Sequence, residues 1–341
     1  MSALAGYVGH QPAARVLIDM LRREEGLGGG YMTGIATVAN GRLYYEKVVG
    51  DLEVLLGETP AANMPGHVGI IHSRGEGTGG RQRAHPFVND GPDLAYAATG
   101  DTAPPGRSPD YGAVARSCFD SGHRFLSLDE TPQRGPARWR EGLPISSGEV
   151  MCHCVSTHYD ESGDLARALG AAVLDLPAEI AALAVQAEHC GSFAAIRINM
   201  PLFLGQDDGG TYAATTALAF PESVTWTAAM PPNCAATVRG KALELWPVPQ
   251  TGVSVAPLPS AVEVSETVVA ALNRGEPLDL SQLMEATEPL WSRETAPQKG
   301  MLVFELLQSL VREGKVELQE VRIARRDGDG TAPTTLAQWV A

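Results

Sequence analysis

The chain has 341 residues, 44% of them apolar, and 26 Lys and Arg against 40 Asp and Glu, a formal net charge of −14. This composition excludes a disordered chain, and the negative charge weighs against nucleic acid or an anionic membrane as a partner. No apolar run reaches the roughly 18 residues of a membrane span, and no basic region precedes the short apolar start, so the expected location is the cytoplasm. Five cysteines, at 118, 152, 154, 190 and 234, are an odd and sparse set that suits a reducing compartment. The length predicts about two domains.

Residues 3–9 are small and apolar and read as a strand. Pro12 then opens a helix with Val16, Leu17, Met20 and Leu21 on one face, closed by Arg22, Arg23 and the glycines at 26 and 28–30. Runs at 31–39 and 42–49 flank Asn40-Gly41, a strong hairpin signal because both residues tolerate positive φ. Residues 67–73 and 94–98 read as buried strands, 102–109 as a proline-rich loop and 111–121 as a helix. Ala/Leu-rich stretches at 164–174 and 178–189, the second behind Pro177, predict two further helices. Short β-type runs follow at 192–199, 211–220, 224–228, 235–238 and 242–246, giving a layered α+β unit.

Residues 247–259 contain four prolines, and 248–260 read as a linker. Helical patterns near 263–272, 280–286 and 301–313, then Gly314-Lys315 and a strand at 316–323, give the element order of a small winged helix. Acids outnumber bases there, so residues 261–327 read as a docking module, with a flexible tail at 328–341.

Two local patterns invite a chemical reading. Residues 75–80, Gly-Glu-Gly-Thr-Gly-Gly, match a dinucleotide-binding fingerprint, but Pro86 and the absence of helical periodicity after it favour an ordinary loop. Cys152-His153-Cys154, with His158 nearby, offers zinc-type donors, yet apart from His189-Cys190 no second cluster offers to complete a tetrahedral set. The competing reading is a strand carrying two buried thiols. No cofactor is implied.

The chain order itself carries the third signal. Ser2-Ala3-Leu4-Ala5-Gly6-Tyr7-Val8-Gly9 resembles the Cys-Gly-Ile-Val-Gly start of class II glutamine amidotransferases, the N-terminal-nucleophile domain of glucosamine-6-phosphate synthase. Gly30 to Ala36 is similar to that family's Arg-Gly-Tyr-Asp-Ser-Ala-Gly-Ile-Ala, and Gly66 to Arg74 to its Gly-His-x-x-Ile-Gly-His-Thr-Arg. Ala84-His85-Pro86 resembles Asn-Ala-His-Pro, Gly122 to Ser127 resembles Gly-Tyr-x-Phe-x-Ser, and Gly191 to Ile196 resembles Gly-Ala-Tyr-Gly-x-Val. The collinear matches cover residues 1–247 and imply a four-layer αββα sandwich, to which the C-terminal helical, winged-helix-like part is an extension.

The resemblance also implies a site. In the family an N-terminal Cys, freed by removal of the initiator Met, attacks the glutamine amide with its own α-amine as base. Ser2 holds that place here, and a hydroxyl is a poorer nucleophile than a thiol. Arg74 matches the arginine that clamps the α-carboxylate, His85 falls in the substrate-binding motif, and Asp129 or Glu130 matches the acid that takes the α-amine. The oxyanion-hole pair Asn-Gly is replaced by Thr99-Gly100, which keeps the glycine N–H and loses an amide donor. These departures point to an amidotransferase-like subunit with a degenerate glutaminase site, a scaffold or amino-acid-binding part of a larger assembly. The alternative is an active amidohydrolase using Ser2. The roughly 90 residues after the sandwich are too few for a synthase domain, so any ammonia acceptor is expected on a separate subunit.

Overall fold

The computed structural model describes residues 2–75, 80–101, 111–128, 145–249, 257–325 and 330–340. The chain opens with strand β1 (Ala3–Gly9), whose small and apolar residues are buried along almost its whole length. Helix α1 (Ala13–Gly28) follows Pro12 and buries Val16, Leu17, Met20 and Leu21, as the 3.6-residue period requires. Strands β2 (Met32–Ala39) and β3 (Arg42–Val49) form the expected hairpin, with φ of 51° at Asn40 and 71° at Gly41. Helix α2 (Leu52–Glu58) starts at Asp51, whose carboxylate accepts the Val54 N–H. Strand β4 (Val68–Arg74) pairs with both β1 and β2.

The second sheet begins with β5 (Phe87–Val88) and β6 (Leu94–Asp101). Helices α3 (Tyr111–Asp120), α4 (Ser147–Ser162) and α5 (Leu165–Asp175) come next. Strands β7 (Glu179–Gln186), β8 (Ser192–Arg197), β9 (Phe203–Gln206), β10 (Gly210–Ala214), β11 (Trp226–Ala229), β12 (Cys234–Arg239) and β13 (Ala242–Pro247) complete the sandwich. One sheet runs β11-β9-β10-β1-β4-β2-β3 and the other β13-β12-β8-β7-β6-β5. Leu4, Val8, Val68 and Ile70 meet Ala97, Leu183 and Phe193 in the core between them. Helix α1 covers one outer face, and α3, α4 and α5 cover the other. This is the four-layer α+β sandwich expected from the sequence.

Two predicted elements are corrected. Residues 178–189 form strand β7 inside the second sheet rather than a helix, since β7 is buried on both faces by its neighbours and both layers. A strand without a polar face has no alternation to read, and its alanines suggest a helix to propensity alone. Conversely, Cys152-His153-Cys154 lies within α4 rather than on a strand. Every residue from Glu149 to Ser156 is buried, which hides the helical period.

After the sandwich come α6 (Ala261–Leu272), β14 (Leu278–Asp279), α7 (Leu280–Ala286), α8 (Lys299–Arg312), β15 (Val316–Ala324) and β16 (Thr331–Trp339). Of the expected linker, residues 250–256 lie outside the described residues. The tail expected to be flexible instead provides β16, the middle strand of a β14-β16-β15 sheet. Proline is uncommon inside a paired strand, yet Pro333 is buried on β16 opposite Arg322. Nor does this part stand apart from the sandwich. Leu27 of α1 joins its core, the Arg322 guanidinium donates to Asp51, and the buried Arg197 donates to the Met230 carbonyl and to Met301 of α8.

Candidate functional site

The two sheets present their strand ends to one another where β1 begins. Ala3 pairs with Ser73, so the half-buried Ser2 comes beside Arg74, the last residue of β4, across a spacing of about 4.8 Å. From the opposite sheet the buried Thr99 reaches across, and its Oγ1 accepts a hydrogen bond from the Ser2 backbone nitrogen at 2.9 Å. Gly100 follows with φ of +126°, a conformation favouring glycine. Four residues singled out from sequence, Ser2, Arg74, Thr99 and Gly100, therefore share one end of the sandwich.

Arg74 is partly buried, and its guanidinium is made less basic by burial and by the neighbouring cation Arg83. A desolvated guanidinium beside a second positive charge favours an anion, and a carboxylate fits its fork in bidentate fashion. Arg83 also lines a cavity of about 320 Å³ together with Gly80, Gln82, Leu126, Ser127 and Leu128. Asp129 and Glu130, expected to bind an α-amine, lie outside the described residues, as do residues 76–79 of the glycine-rich loop. The segment leading to 129 is held by a residue that sequence reasoning missed. Glu149, in the first turn of α4, accepts hydrogen bonds from the Leu126 and Ser127 N–H groups at 2.8 and 2.9 Å and from the Ser127 hydroxyl at 2.5 Å. Burial pushes its carboxyl up, against the pull of these donors. An acid in a helix's first turn is the signal that could have drawn attention to it.

His85 is built into the core, 8% exposed, with Nδ1 accepting the Ala98 N–H at 3.0 Å and its ring stacked 4.4 Å from that of His72. It thereby positions β6 one residue before Thr99. Burial pushes His85 well below the ordinary histidine range and His72 down to about 3, so both rings are neutral near pH 7. Behind Arg74, Ser73 donates to Glu25 at 2.6 Å, and Glu25 also accepts the Leu52 N–H. Burial raises the Glu25 carboxyl to about 7 despite these bonds. Sequence reading missed Glu25 because it rested α1 on its apolar face and on the closing Arg22, Arg23 and glycines.

The zinc-type candidates do not converge. Cys152 is fully buried, and burial followed by Glu149 pushes its thiol up. Cys154 is hydrogen-bonded with Cys118, and His158 pairs at the surface with Asp175 at 2.7 Å and Glu161 at 3.5 Å. On a helix, residues 152 and 154 lie about 200° apart, so they cannot share a ligand as they would on one face of a strand. His153, between them, faces Asp90 and His123.

Comparison with known proteins points to the same family. Glutamine--fructose-6-phosphate aminotransferase [isomerizing] of Symbiobacterium thermophilum is 30% identical over 215 residues, 61% of this chain and 30% of that protein. The protein of the same name from Mycolicibacterium smegmatis is 28% identical over 235 residues, 65% of this chain and 33% of its own length. The chain carries a class II glutamine amidotransferase domain. It spans about a third of the length of these curated relatives. Among solved structures, glutamine phosphoribosylpyrophosphate amidotransferase from B. subtilis superposes with a TM-score of 0.59 at 15% identity, covering 95% of this chain and 68% of that one. At this identity the likeness concerns the fold alone. No protein-family model matches the chain. No helix among the described residues is long and apolar enough to cross a membrane.

Proposed function

We propose that the amidotransferase domain binds glutamine or a closely similar α-amino acid at the end of β1, β4 and β6, and that its amide hydrolysis is strongly attenuated. Arg74 takes the α-carboxylate, Asp129 or Glu130 takes the α-amine, and the side-chain amide points toward Ser2 and Gly100. The observation that carries this reading is the 2.9 Å hydrogen bond from the Ser2 nitrogen to Thr99 Oγ1. It commits the Thr99 oxygen to residue 2, leaving only a short hydroxyl to donate where the family has an amide. Loss of one oxyanion donor costs about 10²–10³ in rate, and a serine hydroxyl needs stronger assistance than a thiol. A domain that binds without efficient turnover suits a scaffold or amino-acid-binding subunit.

The same hydrogen bond favours a second reading. Once Met1 is removed, it holds the Ser2 α-amine in a fixed orientation beside its own hydroxyl, the arrangement a self-activated nucleophile requires. The experiment is to determine the N-terminus by intact mass, measure glutamine binding calorimetrically, and assay ammonia release by wild type, Ser2→Ala, Ser2→Cys and Ser2→Cys with Thr99→Asn. The proposal expects binding that is lost in Arg74→Ala, negligible wild-type turnover, and rescue only in the double variant. Robust wild-type turnover abolished by Ser2→Ala would establish the active enzyme instead, and absence of binding by every amino acid tested would sink both.

A further inference from the structure

Three residues from separate elements meet at the other end of β6 from Thr99. Asp90 follows β5, His123 follows α3, and His153 lies on α4; one ligand atom from each falls within 4.8 Å of the other two. The run from Leu94 to Thr99 alone spans about 17 Å, so this cluster is distinct from the Ser2 site. Asp90 Oδ2 stands 2.9 Å from His123 Nδ1 and 3.7 Å from His153 Nδ1. The other Asp90 oxygen accepts the Arg124 N–H at 3.1 Å, leaving Oδ2 to face the two imidazoles.

The hydrogen bonds around the cluster fix what each group presents. Thr157 donates its hydroxyl to the His153 carbonyl at 3.0 Å, so it accepts at 3.1 Å from the Nε2–H of His123. A neutral His123 held in this tautomer turns the lone pair of Nδ1 toward a carboxylate oxygen 2.9 Å away. Two acceptors at that distance require a cation between them, either a proton or a metal. His153 decides between these. Its side chain is 1% exposed, and neither ring nitrogen has a hydrogen-bond partner within ordinary geometry, although the Arg124 backbone lies near enough to favour an N–H. A protonated His123 would satisfy Asp90 alone and leave the Asp90-facing Nδ1 of His153 buried without a partner, a costly arrangement that a shared ion relieves.

We propose that Asp90, His123 and His153 bind a divalent transition metal of the borderline class that takes imidazole and carboxylate, with Zn²⁺ as the representative ion. Ligand atoms around a tetrahedral ion with bonds of about 2.1 Å lie about 3.4 Å apart, and the separations of 2.9 and 3.7 Å bracket that value. Asp90, 37% exposed, gives the site an open side toward solvent. Thr157 and the Arg124 N–H supply the outer hydrogen bonds that orient His123 and Asp90. The ion ties together the segments after β5 and α3 and helix α4.

The test uses the full chain after chelator treatment, titrated calorimetrically with Zn²⁺, and Co²⁺ absorption as a report on the ligand atoms. One ion per chain is expected, with nitrogen and oxygen ligation and no thiolate-to-cobalt charge transfer. Binding should weaken on the order of 100-fold or more in His153→Ala and in Asp90→Asn, and remain unchanged in His158→Ala. Asp90→Asn keeps the Arg124 hydrogen bond and changes a partly exposed side chain, so it remains informative if His153→Ala fails to fold. Absence of saturable binding, equal affinity in Asp90→Asn, or a thiolate band each overturns the proposal.

Discussion

A Cβ on Gly100 would stand 2.1 Å from the Glu179 carbonyl oxygen and 2.8 Å from Met200 Cγ, on a backbone whose φ of +126° already disfavours any side chain. Backbone, rather than a flexible side-chain end, is the first obstacle, so the neighbouring strand β7 must shift. Gly100→Ala is therefore expected to lower unfolding free energy by at least about 2 kcal/mol and to displace Thr99 from Ser2; chemical denaturation checks the first, and loss of amino-acid binding the second. A neutral stability change would mean that β6 ends less tightly than described. This residue, like Ser2, Arg74 and Thr99, was legible in the sequence because the motifs around it resemble those of class II glutamine amidotransferases in the same chain order. Glu149 and Glu25 were not. Their roles are set by which backbone amides reach them from distant segments, Leu126 and Ser127 for one and Leu52 for the other, and no local spacing encodes that.

At the scale of elements, α1 carries a pH-dependent contribution to stability. Burial raises the Glu25 carboxyl to about 7 from an ordinary value near 4.5, and Glu24 beside it is raised in the same direction by burial. Between pH 4.5 and 7 the folded protein holds a proton on Glu25 that the unfolded chain has released, so stability falls as pH rises through this window. The shift corresponds to on the order of 3 kcal/mol, present in full below the unfolded value and lost above the folded one. Glu25→Gln should flatten the dependence of unfolding free energy on pH across pH 5–7, measured by denaturant titration at each pH. An unchanged slope would assign the effect elsewhere. The helix α1 itself was readable from Pro12 and its apolar face, whereas β7 and α4 were misread. In both, burial on all sides removes the polar face that distinguishes a period of 2 from one of 3.6.

At the scale of the molecule, the C-terminal part behaves as a further layer rather than as a module on a tether. Its sheet lies against α1 and the turn that follows it, where a Cβ on Gly26 would meet Thr335 and one on Gly30 would meet Pro333. Arg197, 2% exposed and lowered to about 10 by burial, is held by the Met200 and Met230 carbonyls and by Met301, so α8 helps enclose a cation of the second sheet. The sequence reading left these residues as a flexible tail, because β16 depends on pairing with β15 rather than on its own propensity. Ala337, 2% exposed in the core that includes Leu27 of α1, offers a direct test. Ala337→Asp buries an uncompensated carboxylate, expected to cost about 3 kcal/mol. Because the damaged core is shared with α1, scanning calorimetry and circular dichroism should show one transition moving to lower temperature, with amino-acid binding at Arg74 lost in the same range. A split into two transitions, with the larger at its wild-type temperature, would instead show that residues 261–340 fold independently and that α1 holds its place without them.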